Sequence, residues 1–315
     1  LAVYAQDEWD IDEPLSAYAG VRWAMLRTRT EGANFPEVGN RSGVASPVLQ
    51  VLWKPASAGG DQFRFALSRT YKAPRTADLS PRRFVAFDNT ATTPDLQGNP
   101  DLRPELAWGL DLAYEHALAG KAGEVNVNLT ARRIEDVILD RLSFENGVWV
   151  SRKANQGSAR VYGLEVDSRW RLRATWSEAP DAELRAGVSR NWSTVDAIPG
   201  PDIRLDSQVP WSANLGIDWR VKDLPLTLGG SLAHKGSVRA RTSLTQFTTS
   251  NAMSTLDMYA LWKFTPAVQL RVTVANALRP HDRTTDTFSD GAGSLRQTTD
   301  APGAATVRLG LEIKL

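Results

Sequence analysis

Apolar and polar residues alternate one for one along much of this chain, and few sequence features narrow the choice of fold so far. In "ELAWGLDLAYE", Leu106, Trp108, Leu110, Leu112 and Tyr114 share one side, while Glu105, Asp111 and Glu115 share the other. "WSANLGIDWRV" sets Trp211, Ala213, Leu215, Ile217, Trp219 and Val221 against Ser212, Asn214, Asp218 and Arg220. "EVNVNLTAR", "AVQLRVTVAN" and "YAGVRWAM" repeat the design, and the closing "ATVRLGLEIKL" keeps it from Val307 to Leu315. A period of two sends successive side chains to opposite faces of a strand, and helical spacing fits none of these segments. The chain reads as all-β.

A strand with one oily and one charged face has two homes. In a soluble sandwich the oily face points inward. In an outer-membrane barrel it points outward to lipid, and the charged face lines a wet lumen. The aromatics favour the barrel. Trp108 and Tyr114 lie toward opposite ends of one apolar stripe, as do Trp211 and Trp219, which is how two interfacial girdles look along a strand. The chain carries 11 Trp against 3 Met, and tryptophan enriches where a side chain is apolar at one end and wet at the other.

Connection lengths are a second test. Strands are expected near residues 1–9, 15–27, 46–54, 61–71, 105–116, 123–136, 160–172, 182–193, 209–221, 224–238, 253–264, 267–278 and 304–315. Short connections, such as "DIDEP", "KPASAGG", "ALAGKA", "KD" and "TP", then alternate without a break with the long ones at 28–45, 72–104, 137–159, 194–208, 239–252 and 279–303. Barrels of this class sort their loops in that way. Within 137–159, "VWVSRKA" is expected to form a small hairpin beyond the membrane. About thirteen strands is an odd count, whereas single-chain bacterial barrels have even ones. Residues 1–315 are therefore expected to be part of a barrel whose earlier strands lie upstream of Leu1.

Composition removes several alternatives. Cysteine is absent, which excludes disulfide scaffolds, Cys-based zinc sites and Cys nucleophiles. A net charge of +1, with Lys and Arg spread along the chain, gives no case for nucleic acid. No apolar run reaches the roughly 18 residues of a spanning helix, and no signal-peptide pattern opens the chain. His116, His234 and His281 stand in separate segments, and no Ser/His/acid set can be assembled, so neither an enzyme nor a side-chain metal site nor a cofactor is expected.

Five further segments, in order, resemble the C-terminal half of TonB-dependent outer-membrane receptors. "YAQDEW" with "YAGVRW" looks like that family's paired strands, and "SRTYKAPRTADLSP" like its strand rising into an outer loop. "GNPDLRPE" at 98–105 is similar to its Gly-Asn-x-x-Leu-x-Pro-Glu return. "NQGSARVYGLEVD" at 155–167 and "VANAL" at 274–278 resemble two later strands, with Gly163 and Glu165 read as structural. Arg308, Gly310, Ile313 and Leu315 fit its assembly signal, although Leu315 replaces the usual terminal aromatic, which puts docking strength in question.

The resemblance implies a 22-stranded, plugged barrel in the outer membrane of a Gram-negative bacterium. It implies active uptake of a scarce nutrient complex such as a ferric siderophore, driven by TonB through a plug and TonB box that this chain does not contain. Partners implied are TonB, the barrel-assembly machinery, outer-membrane lipid and lipopolysaccharide, and a ferric chelate or similar substrate. For the ligand, the loop at 72–104 is the best candidate. Arg75, Arg82, Arg83 and Arg103, with Tyr71, Phe84 and Phe87 nearby, would suit an anionic, partly aromatic chelate. The same arginines would also serve lipopolysaccharide phosphates or simply solvate the loop. Two other functions stay open: a passive porin-like channel without a plug, and a soluble all-β adhesin that needs no detergent.

Overall fold

The structure is a computed structural model that describes residues 1–32, 35–55 and 59–314. Its first strands are β1 (Ala2–Asp12), β2 (Leu15–Gly32), β3 (Phe35–Trp53), β4 (Gln62–Lys72), β5 (Arg83–Phe84), β6 (Asp95–Gln97) and β7 (Glu105–Leu118). There follow β8 (Gly123–Glu135), β9 (Ile138–Glu145), β10 (Val148–Asn155), β11 (Ser158–Arg171), β12 (Asp181–Val195), β13 (Trp211–Arg220) and β14 (Leu226–Lys235). The last are β15 (Val238–Arg241), β16 (Gln246–Ser250), β17 (Met253–Lys263), β18 (Val268–Ala275), β19 (Asp282–Ser289), β20 (Ser294–Ala301) and β21 (Thr306–Ile313). Thirteen of them form one sheet in the order β1-β2-β3-β4-β7-β8-β11-β12-β13-β14-β17-β18-β21, each antiparallel to its neighbours. The family of thirteen expected from the alternation is present, with most ends within a few residues.

Cross-strand partners share a face, so the register carries each stripe around the sheet. Leu67, Leu110, Ala131 and Tyr162 form one apolar row, and Phe65, Leu112, Leu129 and Leu164 the next. Aromatics close the stripes at both ends. On the short-turn side Trp53 meets Phe63 at 5.2 Å and Phe63 meets Tyr114 at 4.9 Å. On the long-loop side stand Trp23, Trp108, Tyr162, Trp192 and Trp211. From Trp211 to Trp219 is eight residues of strand, about 26 Å before tilt at 3.3 Å each, against an apolar band about 25 Å tall in barrels. Asp7, opposite Ala19 on the edge strand β1, interrupts the stripe.

The other face is laced by ion pairs between neighbouring strands. Arg132 reaches Asp111 at 2.6 Å, Arg64 reaches Glu115 at 3.3 Å, and Arg169 reaches Glu183 at 2.9 Å. Arg220 lies 3.5 Å from Asp181, while Asp218 takes both Arg185 and the Tyr259 hydroxyl, and Arg271 stacks 4.4 Å from the Tyr259 ring. Packed core is scarce in the sheet and concentrated beyond its long-loop end. Val137, Ala159, Val195 and Ile198 make one buried cluster there, and Leu79, Leu102, Val150 and Ala240 are buried in the loops. A sheet that leaves Leu112, Leu129, Leu215 and Ile217 all more than 40% exposed has its apolar side built for hydrocarbon.

Two expectations change in detail. Residues 28–45 were expected as a long connection, but β2 and β3 stay paired out to Gly32 and Phe35. "RTRTEG" has no apolar residue to mark a face, yet threonine suits a pleated strand. β3 pairs with β4 only as far as Val48, so Pro47 lies where β3 has become an edge and proline is tolerated. The long connections at 239–252 and 279–303 fold into a second sheet, β15-β16-β19-β20. Its pairing joins segments far apart in the chain, which local pattern cannot reveal. The expected outer hairpin is β9–β10, turned by Asn146 and Gly147 at φ 51° and 85°, the left-handed pair of a type I′ turn.

Leu129→Arg, in the middle of the apolar stripe, is expected to destabilise the barrel by about 2–4 kcal/mol. Asn128→Arg, one residue away on the polar face, should cost far less. Urea unfolding of the two variants in lipid vesicles compares them directly; equal losses would mean that neither face meets lipid.

Candidate ligand site

The segment between β4 and β7 leaves the sheet at Lys72 and returns at Glu105, and its polar residues are spent largely on holding its own shape. A single helical turn, α1 (Thr76–Leu79), is clamped by Arg75, whose guanidinium donates to Asp78 at 2.9 and 3.0 Å. That pairing holds the Asp78 carboxyl below the usual range. Gly98 passes so close to this turn that a Cβ would sit 2.2 Å from the Ser80 carbonyl oxygen. "GNPDLRPE" ties the return leg to three elements. Asn40 on β3 donates to the Pro100 and Leu102 carbonyls at 2.7 and 2.9 Å, and Asn99 donates to Lys153 O on β10 at 3.1 Å. Glu105 accepts the Ile138 backbone N–H at 2.7 Å.

Above this base a four-stranded sheet, β5-β6-β10-β9, carries the chemistry. Asp95, nearly buried, accepts hydrogen bonds from the Ala86 backbone N–H, the Asn89 amide and Arg83 Nε, at 3.0, 2.8 and 2.8 Å, and these donors hold its carboxyl below the usual range. Arg152 grips Glu145 with both terminal nitrogens and donates through Nε to Gln97 Oε1 at 2.9 Å. The Arg152 contact, with the Ser143 hydroxyl, pulls the Glu145 carboxyl down to about 2. Gln97 in turn donates to Pro81 O at 3.0 Å.

A cleft of about 660 Å³ opens between this sheet and the extended tip of β2–β3, lined by Thr30, Glu31, Gly32 and Phe35 on one side and Ser80, Pro81, Arg82, Arg83 and Gln97 on the other. Arg83 spends Nε on Asp95, while its Nη2 is buried and has no hydrogen-bond partner among the described residues. Arg82 is exposed and stacks 4.9 Å from the Phe84 ring. The site therefore offers one guanidinium fixed by an ion pair and one exposed guanidinium stacked on an aromatic ring, a combination suited to an anion with planar or apolar parts.

Of the residues singled out in the sequence, Arg82, Arg83 and Phe84 come together here. Phe87 is fully exposed on the same segment, near Phe84 and Val85 in the chain. Arg75 is occupied by Asp78. Arg103 lies at the loop's foot, paired with Asp136, while Asn155 brackets its backbone N–H and C=O at 2.8 and 2.9 Å. Tyr71 faces away, level with Leu106 on the apolar side of the sheet. Glu31, Phe35, Asp95 and Gln97 escaped sequence reasoning because they come from a neighbouring hairpin or from a polar network with no motif. Among the described residues no three metal-ligating side chains gather. At the other end of the chain, Arg308, Gly310 and Ile313 lie on β21 opposite Thr273, Arg271 and Val268, and Leu315 lies outside the described residues.

A family model described as TonB dependent receptor-like, beta-barrel, matches residues 1–277. The chain belongs to this family. A search of curated protein sequences returns no match. Among solved structures, the copper transporter OprC aligns with a TM-score of 0.70 at 14% identity, over 99% of this chain and 48% of its own. A mutant of the ferric enterobactin receptor PfeA from Pseudomonas aeruginosa, solved with enterobactin, aligns with a TM-score of 0.68 at 14% identity over 99% and 45%. The ferric yersiniabactin uptake receptor FyuA from Yersinia pestis gives 0.64 at 14% identity, over 99% and 45%. At such identity these likenesses speak for the fold alone. The chain spans less than half the length of each. The thirteen strands are accordingly a partial TonB-dependent receptor barrel, with the loop sheets at its long-loop end.

The low value of Glu145 sets a pH window. Its folded value of about 2 lies below the ordinary 4.5, so the stability it adds is fully present above about pH 4.5 and is lost as pH falls through about 2. Protection of the β9–β10 amides, taken relative to their intrinsic exchange rates at each pH, should fall across that window, and Glu145→Gln should flatten the change. Protection that falls equally steeply in the variant would place the titrating group elsewhere.

Proposed function

We propose that this chain is the C-terminal barrel portion of an outer-membrane receptor that takes up a scarce nutrient complex such as a ferric siderophore, energised through TonB. The observation that carries the reading is the family match across a sheet whose polar face is wide, charged and cross-braced. Among the described residues β1 and β21 each have one neighbour, and their free edges support a barrel completed by about nine upstream strands, with a plug and TonB box before them. The barrel-assembly machinery would read the terminal strand through Arg308, Gly310, Ile313 and Leu315. The long-loop side then faces outward from a Gram-negative cell, and the cleft between β2–β3 and β5–β6 is where an anionic chelate first meets the protein. Arg83 Nη2 supplies a donor already desolvated, and Arg82 with Phe84 supplies an exposed cation and an aromatic face.

Uptake of radiolabelled ferric siderophores by cells making the full-length receptor tests the energised reading. Accumulation should stop when TonB is deleted or the proton gradient is collapsed. Uptake that continues unchanged would make the protein a passive channel. Replacing both arginines, Arg82→Ala with Arg83→Ala, should weaken binding of the transported chelate about tenfold or more. Unchanged affinity in the intact receptor would remove the cleft from the ligand's path.

A further inference from the structure

The setting of Arg83 depends on residues that do not line the cleft. Arg83 holds Asp95 through Nε at 2.8 Å, and among the described residues that ion pair is the carboxylate's one charged contact. Asp95 is nearly buried, so its orientation is settled by the donors around it. Two of them are neutral, the Ala86 backbone N–H at 3.0 Å and the Asn89 amide at 2.8 Å, and both fall on Oδ1. Oδ2 is left to Arg83. The guanidinium is thereby fixed along its Nε edge, while Nη2 stays without a partner among the described residues.

Asn89 is itself locked. Its Oδ1 accepts the Trp149 backbone N–H at 2.7 Å, and its Nδ2 donates to the Trp149 carbonyl at 2.8 Å as well as to Asp95. Only one orientation of the amide satisfies all three contacts, since a flipped group would set its oxygen against a carboxylate and a carbonyl. Register brings the two segments together. Val150, the residue after Trp149, lies opposite Asp95 in the parallel pairing of β10 with β6.

The Trp149 ring leads out of this sheet, packing 5.1 Å from Phe288 on β19. Phe288 is buried and lies opposite Gln246 on β16, whose amide donates at 3.4 Å to the carbonyl of Ala91, two residues beyond Asn89. One cross-strand pair of the second loop sheet therefore touches both segments that hold the Asn89 amide in place. The path Phe288, Trp149, Asn89, Asp95, Arg83 crosses three stretches of chain that are remote in sequence.

We propose that Asn89 is a positioning residue for the ligand cleft: locked by Trp149 and braced by Phe288, it sets Asp95 and so presents Arg83 to an anionic ligand. The proposal rests on the receptor reading above and names what tunes its cleft. Because Arg83 spends Nε inside the protein, a ligand anion takes the terminal nitrogens without displacing Asp95. The second loop sheet, which among the described residues lends nothing to the cleft walls, thereby gains a hold on affinity. A chain of contacts is not in itself coupling, and a double-variant cycle measures it.

The test uses the full-length receptor in detergent and two readouts. The first is hydrogen exchange at the Ala86 amide, which donates to Asp95. Asn89→Ala should lower its protection about tenfold or more, and Phe288→Ala should lower it in the same direction. Arg283→Gln, which breaks the ion pair with Asp300 at the other end of β19, should leave it unchanged. The second readout is affinity for gallium(III) complexes of a catecholate, a hydroxamate and a hydroxycarboxylate chelator, redox-inert stand-ins for ferric chelates. For a complex that the wild type binds, Asn89→Ala should weaken binding about tenfold, and it should add nothing in an Arg83→Ala background. Unchanged affinity in Asn89→Ala, or an equal loss in both backgrounds, would overturn the proposal, as would full Ala86 protection in folded Asn89→Ala or Phe288→Ala. If no complex binds the wild type, the receptor reading falls and the ligand role of Arg83 with it. Protection lost at Ala86 would then place that failure in the receptor reading and not in the network.

Discussion

Hydrocarbon offers no water to an unpaired backbone N–H or C=O, and each such group left in lipid costs several kcal/mol. Everything else in this structure follows from that demand. The thirteen long strands satisfy it by pairing with neighbours on both sides, from β2 through β18. Pairing fixes the register, the register fixes which residues form a row, and the rows separate hydrocarbon from lumen. β1 and β21 show the same rule at its limit, since among the described residues each pairs along one edge.

Once the ladder is set, the two faces answer to different physics. The outer rows need only bulk and apolarity, so Leu, Val and Ala interchange freely between strands. The lumen rows must accommodate charge beside charge, and they do so by cross-strand pairing, as in Arg132 with Asp111 and Arg185 with Asp218. Beyond the membrane side-chain burial returns as the organising force. Trp149 packs between Phe144 at 5.0 Å and Phe288 at 5.1 Å, and so joins the two loop sheets. Gln246 reaches across to the Ala91 carbonyl at 3.4 Å. The sheet that walls one side of the cleft is thereby braced by its neighbour.

The membrane strands were legible because lipid on one side and water on the other print a period of two on the sequence. "ELAWGLDLAYE" states its own faces. The loop strands were not, because "TQFTTS" and "RTTDTFS" are polar apart from one phenylalanine each and show no alternation, and their sheet exists only through pairing between distant segments. The candidate site was half legible. Arg82, Arg83 and Phe84 are neighbours in the chain and stay together. Arg75 and Arg103, of the same residue type on the same loop, are consumed by Asp78 and Asp136, and composition cannot tell a guanidinium that is spent from one that is free. Tyr71 fell on the lipid side because the parity of β4, counted from its apolar stripe, places it there.

By itself, then, the sequence determined which residues face lipid, how many strands cross, and how short and long connections alternate, since alternation and turn chemistry are local and survive without any tertiary contact. Only the tertiary structure decided which charges remain unpaired. Arg83 Nη2 is orphaned because Asp95 takes its neighbouring nitrogen, and Arg133 confronts Arg160 because two strands meet in one register and not the next. A shift of one residue would have turned that arginine into the lumen.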